Sequence, residues 1–432
     1  MRKILATVAA VSLLCSGMAF GAGFALGEAS ARASSMGNAV VAQAYDAGTL
    51  FYNPSGIGFL TGTHFNGSFM AIAPKAKFVR ANFEGSAGDP TIHEAVDQVF
   101  PPVGLYVSHR LNDKFAFGLS FSTPFGLGFK WEDDFPGRFI SKEVDLQSFY
   151  LTPVVAVMPT KELSLAVGLD VVFSNVLLRR NLLAFSTDTN PGTDVGETEL
   201  KGSSMGKIGF NVSAMYQTKR LGLGVAYRHS VKNEYDEADV NFTLYDTPFK
   251  TLVTGGLTAN GTYGLAMSGS AEITFPASVN AGIYYKLADN LGVEVDFLYT
   301  FWNVFDEIPL NFENDALSQV IPEDYEDAFQ LRLGAQYDVN DALALRAGYI
   351  YDQTPQPIHS VSPLLPDNDR NDFTAGIGYK TGNLTVDAGF MFVNTGKRST
   401  LENGVGQNEN GFNGTYSANA TLFFVGLGYH LQ

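Results

Sequence analysis

The sequence predicts an all-β fold, a transmembrane antiparallel β-barrel of about fourteen strands with a small N-terminal segment in its lumen. Three observations predict it. From Pro101 to Gln432 the chain runs as extended apolar stretches joined alternately by tight polar turns and long polar segments. Several stretches alternate strictly between apolar and polar side chains. No later segment has the roughly 18 uninterrupted apolar residues of a membrane helix. Short turns on one rim and long loops on the other mark an outer-membrane barrel, and a closed barrel is the only strand-built way across a bilayer.

The chain opens Met1-Arg2-Lys3, runs apolar from Ile4 to Leu14 and turns small near Ala19-Phe-Gly21. This is the pattern of a secretory signal peptide over residues 1–21, with the mature chain starting at Ala22. Cys15 is the one cysteine and leaves with the leader. The mature chain then has no thiol, no disulfide and no cysteine-based metal site. Loss of Arg2 and Lys3 leaves 26 basic against 44 acidic residues, a net charge of −18. That balance argues against nucleic acid, or an anionic substrate drawn by the overall field, as a partner.

Residues 22–59 are rich in Ala, Gly and Ser, lack sustained alternation and contain Asn53-Pro54. A barrel of about fourteen strands is too wide to fill with its own side chains, so this segment is expected to fold into the lumen as a hatch. The barrel follows over residues 60–432. Strand centres are expected near Asn66, Tyr106, Gly118, Leu151, Val167, Phe210, Val225, Ala281, Val295, Leu333, Arg346, Gly376, Val386 and Phe424. In Leu291–Tyr299, Val293, Val295 and Phe297 share one face while Glu294 and Asp296 share the other. In Phe329–Tyr337, Leu331 and Leu333 oppose Gln330, Arg332 and Gln336. Only a strand sorts residues this way, with lipid on the apolar face and the lumen on the charged one.

Six tight turns begin near Leu111, Met158, Gln217, Lys286, Asp338 and Lys380. They leave both termini on the periplasmic side. Between them lie the long segments Phe125–Glu143, Val231–Ser270, Asn303–Tyr325 and Thr395–Thr415, expected to be polar extracellular loops. Their acidic clusters, such as Asp236-Glu237 and Glu323-Asp324, read as solvated loop charge. The six histidines are scattered without close metal-ligand spacing, so no metal is expected. No nucleophile elbow or phosphate loop stands out, so neither catalysis nor a cofactor is expected.

A set of motifs then points to a family. Ala22-Gly-Phe-Ala-Leu-Gly-Glu28, Met36-Gly-Asn-Ala39 and Asp46-Ala-Gly-Thr-Leu-Phe-Tyr-Asn-Pro-Ser-Gly56 resemble the hatch of the FadL-type long-chain fatty acid transporters. Gly137-Arg-Phe139 before the fourth strand fits the same order. So do Phe275-Pro-Ala-Ser278 at the eighth and Asp352-Gln-Thr-Pro355 with Leu365-Pro-Asp-Asn-Asp-Arg370 after the eleventh. The resemblance covers essentially the whole mature chain. Two departures stand out. Ser55 replaces the family's alanine in Asn-Pro-Ala. The chain ends Gly428-Tyr-His-Leu-Gln432, so its aromatic residue is displaced from the terminus that the barrel assembly machinery reads.

The resemblance implies passive outer-membrane uptake of a hydrophobic molecule, a long-chain fatty acid first, without a cofactor. The ligand would be caught in an apolar extracellular groove, passed to a lumenal site gated by the hatch, and released sideways beside a kinked third strand. On this reading Phe51, Tyr52, Asn53, Pro54 and Ser55 form a rigid hatch tip at the ligand pocket. Gly118, Pro124, Phe125 and Gly126 mark the lateral exit, because proline cannot donate to a ladder. Arg179 and Arg180, followed by Asn181-Leu-Leu-Ala-Phe185, put a cation beside apolar residues, as a fatty carboxylate requires. The same pair could instead meet lipopolysaccharide phosphates in the surrounding outer-membrane lipid, or loop acids. Glu326 stands where the resemblance leads one to expect a basic residue in some relatives, leaving room for an uncharged ligand. The alternatives are an aromatic or alkane hydrocarbon channel of the same fold, a general porin, or an adhesive barrel.

Overall fold

A computed structural model of the chain describes residues 23–81, 89–184, 193–245 and 263–431. The signal peptide and Phe185 lie outside the described residues. Fourteen strands close the barrel. They are β1 (Thr63–Arg80), β2 (Val103–Arg110), β3 (Phe115–Ser122), β4 (Glu143–Val157), β5 (Leu163–Ala184), β6 (Thr193–Gln217) and β7 (Leu221–Arg228). The circuit continues through β8 (Ser278–Ala288), β9 (Leu291–Thr300), β10 (Ala328–Asp338), β11 (Leu343–Asp352), β12 (Arg370–Thr381), β13 (Leu384–Ser399) and β14 (Gly414–Leu431). Each pairs antiparallel with the next, and β14 returns to β1 from Thr63↔Leu431 to Arg80↔Gly414. All the expected strand centres fall within these strands, and the six tight turns join them on one rim.

Outward positions are large and apolar, among them Phe69, Leu105, Phe117, Val167, Phe297, Phe373 and Phe423, all exposed along the wall. Their neighbours turn inward and are buried and polar, among them Asp170, Asn211, Glu294, Asp296, Arg332, Arg346 and Asp387. This inversion of the usual globular pattern is what a lipid-facing barrel demands.

The expectation of polar loops is corrected in all four segments, most extensively in two of them. Val231–Leu244 and Tyr263–Phe275 form a hairpin, and the first also pairs with β6 along Gly196–Lys201. Glu307–Phe312 adds to it at Gly269–Ala271 and carries Gln319–Pro322 on its other side. These segments alternate, but with polar side chains on the solvent face, so their apolar positions are sparse in sequence. Their inner face meets an aromatic cap at the extracellular end, including Trp131, Phe135, Phe275, Trp302 and Phe305.

The N-terminal residues thread the lumen. Helix α1 (Ala31–Ser34), helix α2 (Thr49–Tyr52) and a 3-10 turn (Pro54–Phe59) are buried there. Wall carboxylates hold the chain between the helices. Asp296 accepts from the N–H groups of Val40 and Val41 at 2.8 and 3.0 Å. Glu294 accepts from Ala42 N–H and Gln43 Nε2, each at 2.6 Å. Charged acceptors on backbone donors are among the stronger hydrogen bonds. Wall glycines let the backbone come this close. A Cβ at Gly224 would lie 2.1 Å from the Val41 carbonyl, and one at Gly348 would lie 2.2 Å from Gly37 N.

Gly348→Val is therefore expected to unseat the N-terminal segment while leaving the barrel folded. Planar-bilayer recordings would show at least several-fold higher conductance, with normal heat-modifiable migration. Unchanged conductance would show that the segment tolerates the added methyls.

Candidate functional site

The site is built around the turn Asn53-Pro-Ser. Proline fixes its own φ and holds Asn53 extended, with φ −150° and ψ 93°. The Asn53 side chain then works in three directions. Its Nδ2 donates to Val41 O at 2.7 Å and to Ala214 O on β6 at 3.1 Å. Its Oδ1 accepts from Ser55 N–H at 3.2 Å and from Ser55 Oγ at 2.5 Å. The hydroxyl that distinguishes Ser55 from alanine thus reinforces the turn, while Ser55 N–H also donates to Ser213 Oγ at 2.9 Å. Tyr52 points its hydroxyl at the preceding strand of chain, donating to Gly27 O at 2.9 Å. Phe51 lies under the Arg228 guanidinium, 5.3 Å from ring centroid to cation.

Phe51, Tyr52 and Pro54 line a narrow lumenal cavity of about 80 Å³. Opposite them stand Phe125, Ala226, Leu298, Arg228 and Arg332. Arg228 also lies 5.6 Å from the Tyr150 ring and 3.7 Å from Asp170. Arg332 donates to Gln330 Oε1 through Nε and Nη2, at 2.9 and 2.6 Å. The cavity therefore joins apolar surface to two guanidinium groups. Neither was singled out as a site from sequence, although alternation already turned Arg332 to the lumen. The available signal was a long cation at an inward position of a strand whose outward neighbours are apolar.

A second, smaller cavity shares Leu26 and Phe125 with the first and opens beside Pro102, Thr123, Gly126 and Phe149. Here the wall is interrupted. The β3–β4 ladder ends at Ser122↔Tyr150 and resumes at Gly126↔Gln147. The β2–β3 ladder has already ended at Leu105↔Phe121. Ser148 Oγ bridges the break, accepting from Phe125 N–H at 3.0 Å and donating to Phe125 O at 2.5 Å. On the other side the N-terminal chain takes the place of a strand. Leu26 N–H donates to Pro124 O at 2.8 Å, and Gly126 N–H donates to Phe24 O at 2.9 Å. Phe24 then packs on Phe125, Phe275, Trp302 and Phe305, with centroids 4.8–6.0 Å away. Pro124, Phe125 and Gly126 thus meet at the break. Gly118 does not. Its ladders continue on both sides, and the space above its Cα admits Leu50.

Arg179 and Arg180 stand apart from both cavities, at the outer end of β5. Arg179 is held by carboxylates: Glu143 at 2.6 Å, Glu197 at 3.4 Å, and Glu199. Arg180 donates to Gln319 Oε1 at 2.6 Å and borders an extracellular cleft with Leu310, Phe312, Ile321 and Leu364. Glu326 is exposed and lines neither the lumenal cavity nor the wall break. The scattered histidines are partly reunited by folding. His359 lies 3.3 Å from Asp324 with Glu409 close by, tying three extracellular loops, and His64 stacks on His430 where β1 meets β14.

A closed fourteen-strand barrel with lipid-facing apolar residues and an occupied lumen defines an outer-membrane transport protein. The chain belongs to the family described as outer membrane protein transport protein (OMPP1/FadL/TodX), whose model matches residues 12–431. That family moves hydrophobic compounds through the bacterial outer membrane. Among its relatives, outer membrane protein P1 of Haemophilus influenzae is 27% identical over 71% of this chain and 68% of its own length. The long-chain fatty acid transport protein of Escherichia coli O6:H1 is 24% identical over 91% of this chain and 92% of its own. A FadL homologue from Pseudomonas aeruginosa superposes with a TM-score of 0.78 at 20% identity, over 95% of this chain and 100% of its own. The toluene transporter TodX of Pseudomonas putida superposes at 0.70 with 15% identity, over 96% and 99%.

Below the site, Asp46 accepts from Gly48 N–H at 2.7 Å and Asn66 Nδ2 at 3.1 Å. Its edge reaches the periplasmic vestibule. Burial pushes its carboxyl from 3.8 up to about 6, with Arg32 pulling the other way. A raised carboxyl pKa means the docked segment favours the protonated form. Docking is then tightest below about pH 4 and weakens as pH rises to about 6. Hydrogen exchange of residues 40–52, corrected for intrinsic rates, should lose protection by on the order of 10- to 100-fold across that window. Asp46→Asn should reduce this loss of protection, and pH-independent protection in the wild type would contradict the assignment.

Proposed function

We propose that this protein takes up long-chain fatty acids passively, with the carboxylate met by Arg228 and Arg332 and the tail by the apolar side of the lumenal cavity. The observation that carries this reading is two guanidinium groups on a cavity where Phe51, Pro54, Phe125, Ala226 and Leu298 stand beside the polar Asn211, Ser278, Asn280, Thr300 and Gln330. Guanidinium suits a carboxylate geometrically and electrostatically. Burying a tail contributes roughly 25 cal/mol per Å² of apolar surface. Capture begins in the extracellular cleft beside Arg180, whose guanidinium has no ion pair among the described residues. Arg179 contributes less on this reading, because three glutamates already meet its charge.

The segment 23–59 serves as the hatch, with Phe51 to Ser55 as its tip at the ligand. Exit runs between Leu26 and Phe125 and out through the break at Pro124–Gly126. Irregular backbone at membrane depth is tolerated where protein or a cavity covers it, and here the N-terminal chain covers it. A general porin is disfavoured because the hatch occupies the lumen. A hydrocarbon channel is the second reading, favoured by the aromatic rings of Phe51, Tyr52, Phe125 and Tyr227 around the cavity.

Uptake of labelled oleate at limiting concentration is expected to fall sharply in cells lacking the gene. The wild-type gene should restore it, whereas Arg228→Met with Arg332→Met should lower it roughly tenfold, the scale of one or two lost charged contacts. Equal oleate uptake with and without the gene overturns the fatty acid reading. Gene-dependent toluene uptake that ignores both substitutions would establish the hydrocarbon channel instead.

A further inference from the structure

The outward face of β1, β14 and β13 changes character at one level. From Leu431 to Thr421 a strand tilted by about 40° climbs roughly 25 Å, the height of the apolar band of such barrels. Over that height the outward residues of β14 include Tyr429, Leu427, Val425 and Phe423, all exposed. Phe69 and Ala71 accompany them on β1, and Phe390 and Phe392 on β13. None of these is charged.

One step above Thr421 the face becomes polar and basic. Lys75 pairs with Asn419, which pairs with Asn394. Lys77 pairs with Ser417, which pairs with Lys397. With neighbouring strands about 4.8 Å apart, Lys77 and Lys397 flank Ser417 at roughly 10 Å from each other. All three lysines are exposed. Lys77 bonds Glu94 at 2.6 Å, whereas Lys75 and Lys397 have no ion pair among the described residues.

The placing of Lys397 depends on an irregularity. The register of β13 against β14 shifts between Asn394 and Lys397, and Gly396 there has a φ of 64°. Without this bulge, Lys397 would follow Val393 and Thr395 to the inner face. The extra residue turns Lys397 outward and sends Arg398 inward, where it donates to Asp367 O and Gln356 O at 2.7 and 2.6 Å. Bulges commonly re-aim side chains in this way. Beside the lysines, the segment after β1 presents Ile92, Val96 and Val99, which are 58%, 38% and 65% exposed.

We propose that this patch binds a phosphate-bearing glycolipid of the outer leaflet, the lipopolysaccharide headgroup, with Lys75, Lys77 and Lys397 as its phosphate ligands. Charge complementarity selects the occupant. The protein is acidic overall at −16, so its general field does not gather anions, yet three lysines converge at the height where lipid phosphates lie. Asn394, Ser417 and Asn419 supply neutral hydrogen bonds between them. Val99, next to the Ile72–Phe100 bridge on the membrane side of the lysines, offers an apolar edge to acyl chains, as an amphipathic glycolipid requires.

The test uses the full barrel, delipidated in detergent, with native mass spectrometry against bisphosphorylated lipid A. Lys75→Glu, Lys77→Glu and Lys397→Glu together should weaken binding at least tenfold. Lys161→Glu with Lys219→Glu, on the periplasmic turns, should leave it unchanged. Dephosphorylated lipid A should bind wild type as weakly as the triple variant does, and millimolar inorganic phosphate should not compete. Heat-modifiable migration confirms that each variant is folded. Full binding by the triple variant overturns the proposal. Equal weakening by the periplasmic pair, equal binding of phosphatidylglycerol, or displacement by inorganic phosphate does so too.

Discussion

Every backbone N–H and C=O at membrane depth must find a partner inside the protein, because the lipid offers none. The fourteen-strand circuit meets that demand almost everywhere, and the place where it lapses organises the rest of the molecule. At Thr123–Phe125 the third strand loses its neighbour on one side and its register on the other. The N-terminal chain repairs the break with two backbone hydrogen bonds through Phe24 and Leu26. The same chain continues through the lumen and ends in the turn at Asn53. One segment therefore seals the wall, fills the bore and shapes the cavity.

That economy has consequences along the wall. The carboxylates of Glu294 and Asp296 face the lumen because alternation puts them there, and they become acceptors for four donors of the threaded chain. The inward glycines follow its path. Gly224, Gly348 and Gly118 each sit where a backbone or a leucine comes within contact distance. Above, the aromatic cap closes on Phe24, so the N-terminus is anchored by ring packing at one end and by charged hydrogen bonds further on.

Much of this was legible in the sequence because a period of two is a hard signal. Val293, Val295 and Phe297 against Glu294 and Asp296 gave strand, face and environment at once. The alternation of short and long connections ordered the strands and oriented them. The N-terminal segment stood out by failing to alternate. What stayed hidden depended on pairing between distant residues. For Arg179 the sequence left a ligand carboxylate and loop acids both open, and only the pairing that brings Glu143, Glu197 and Glu199 from neighbouring strands decides for acids. Arg228 drew no notice because its aromatic partners come from residues 51 and 150. The strands within Val231–Leu244 and Glu307–Phe312 were masked by their polar solvent faces. Gly118 was expected at the lateral exit, and only the position of Leu50 in the lumen shows that it makes room for the N-terminal segment instead.

The proposed exit makes one structural demand, that the chain at Phe24–Leu26 leave its place beside Pro124–Gly126. Ala25 and Phe125 face each other there as a bridged pair whose neighbours make the hydrogen bonds. Such non-hydrogen-bonded pairs bring Cα atoms to about 4.5 Å, within disulfide range. Once the leader carrying Cys15 is removed, no other cysteine competes. The decisive measurement is oleate uptake by cells carrying Ala25→Cys with Phe125→Cys, oxidised and then reduced. The account predicts uptake blocked when the bridge is formed and restored on reduction, with each single substitution transporting in both states. Undiminished uptake through the bridged protein would contradict it.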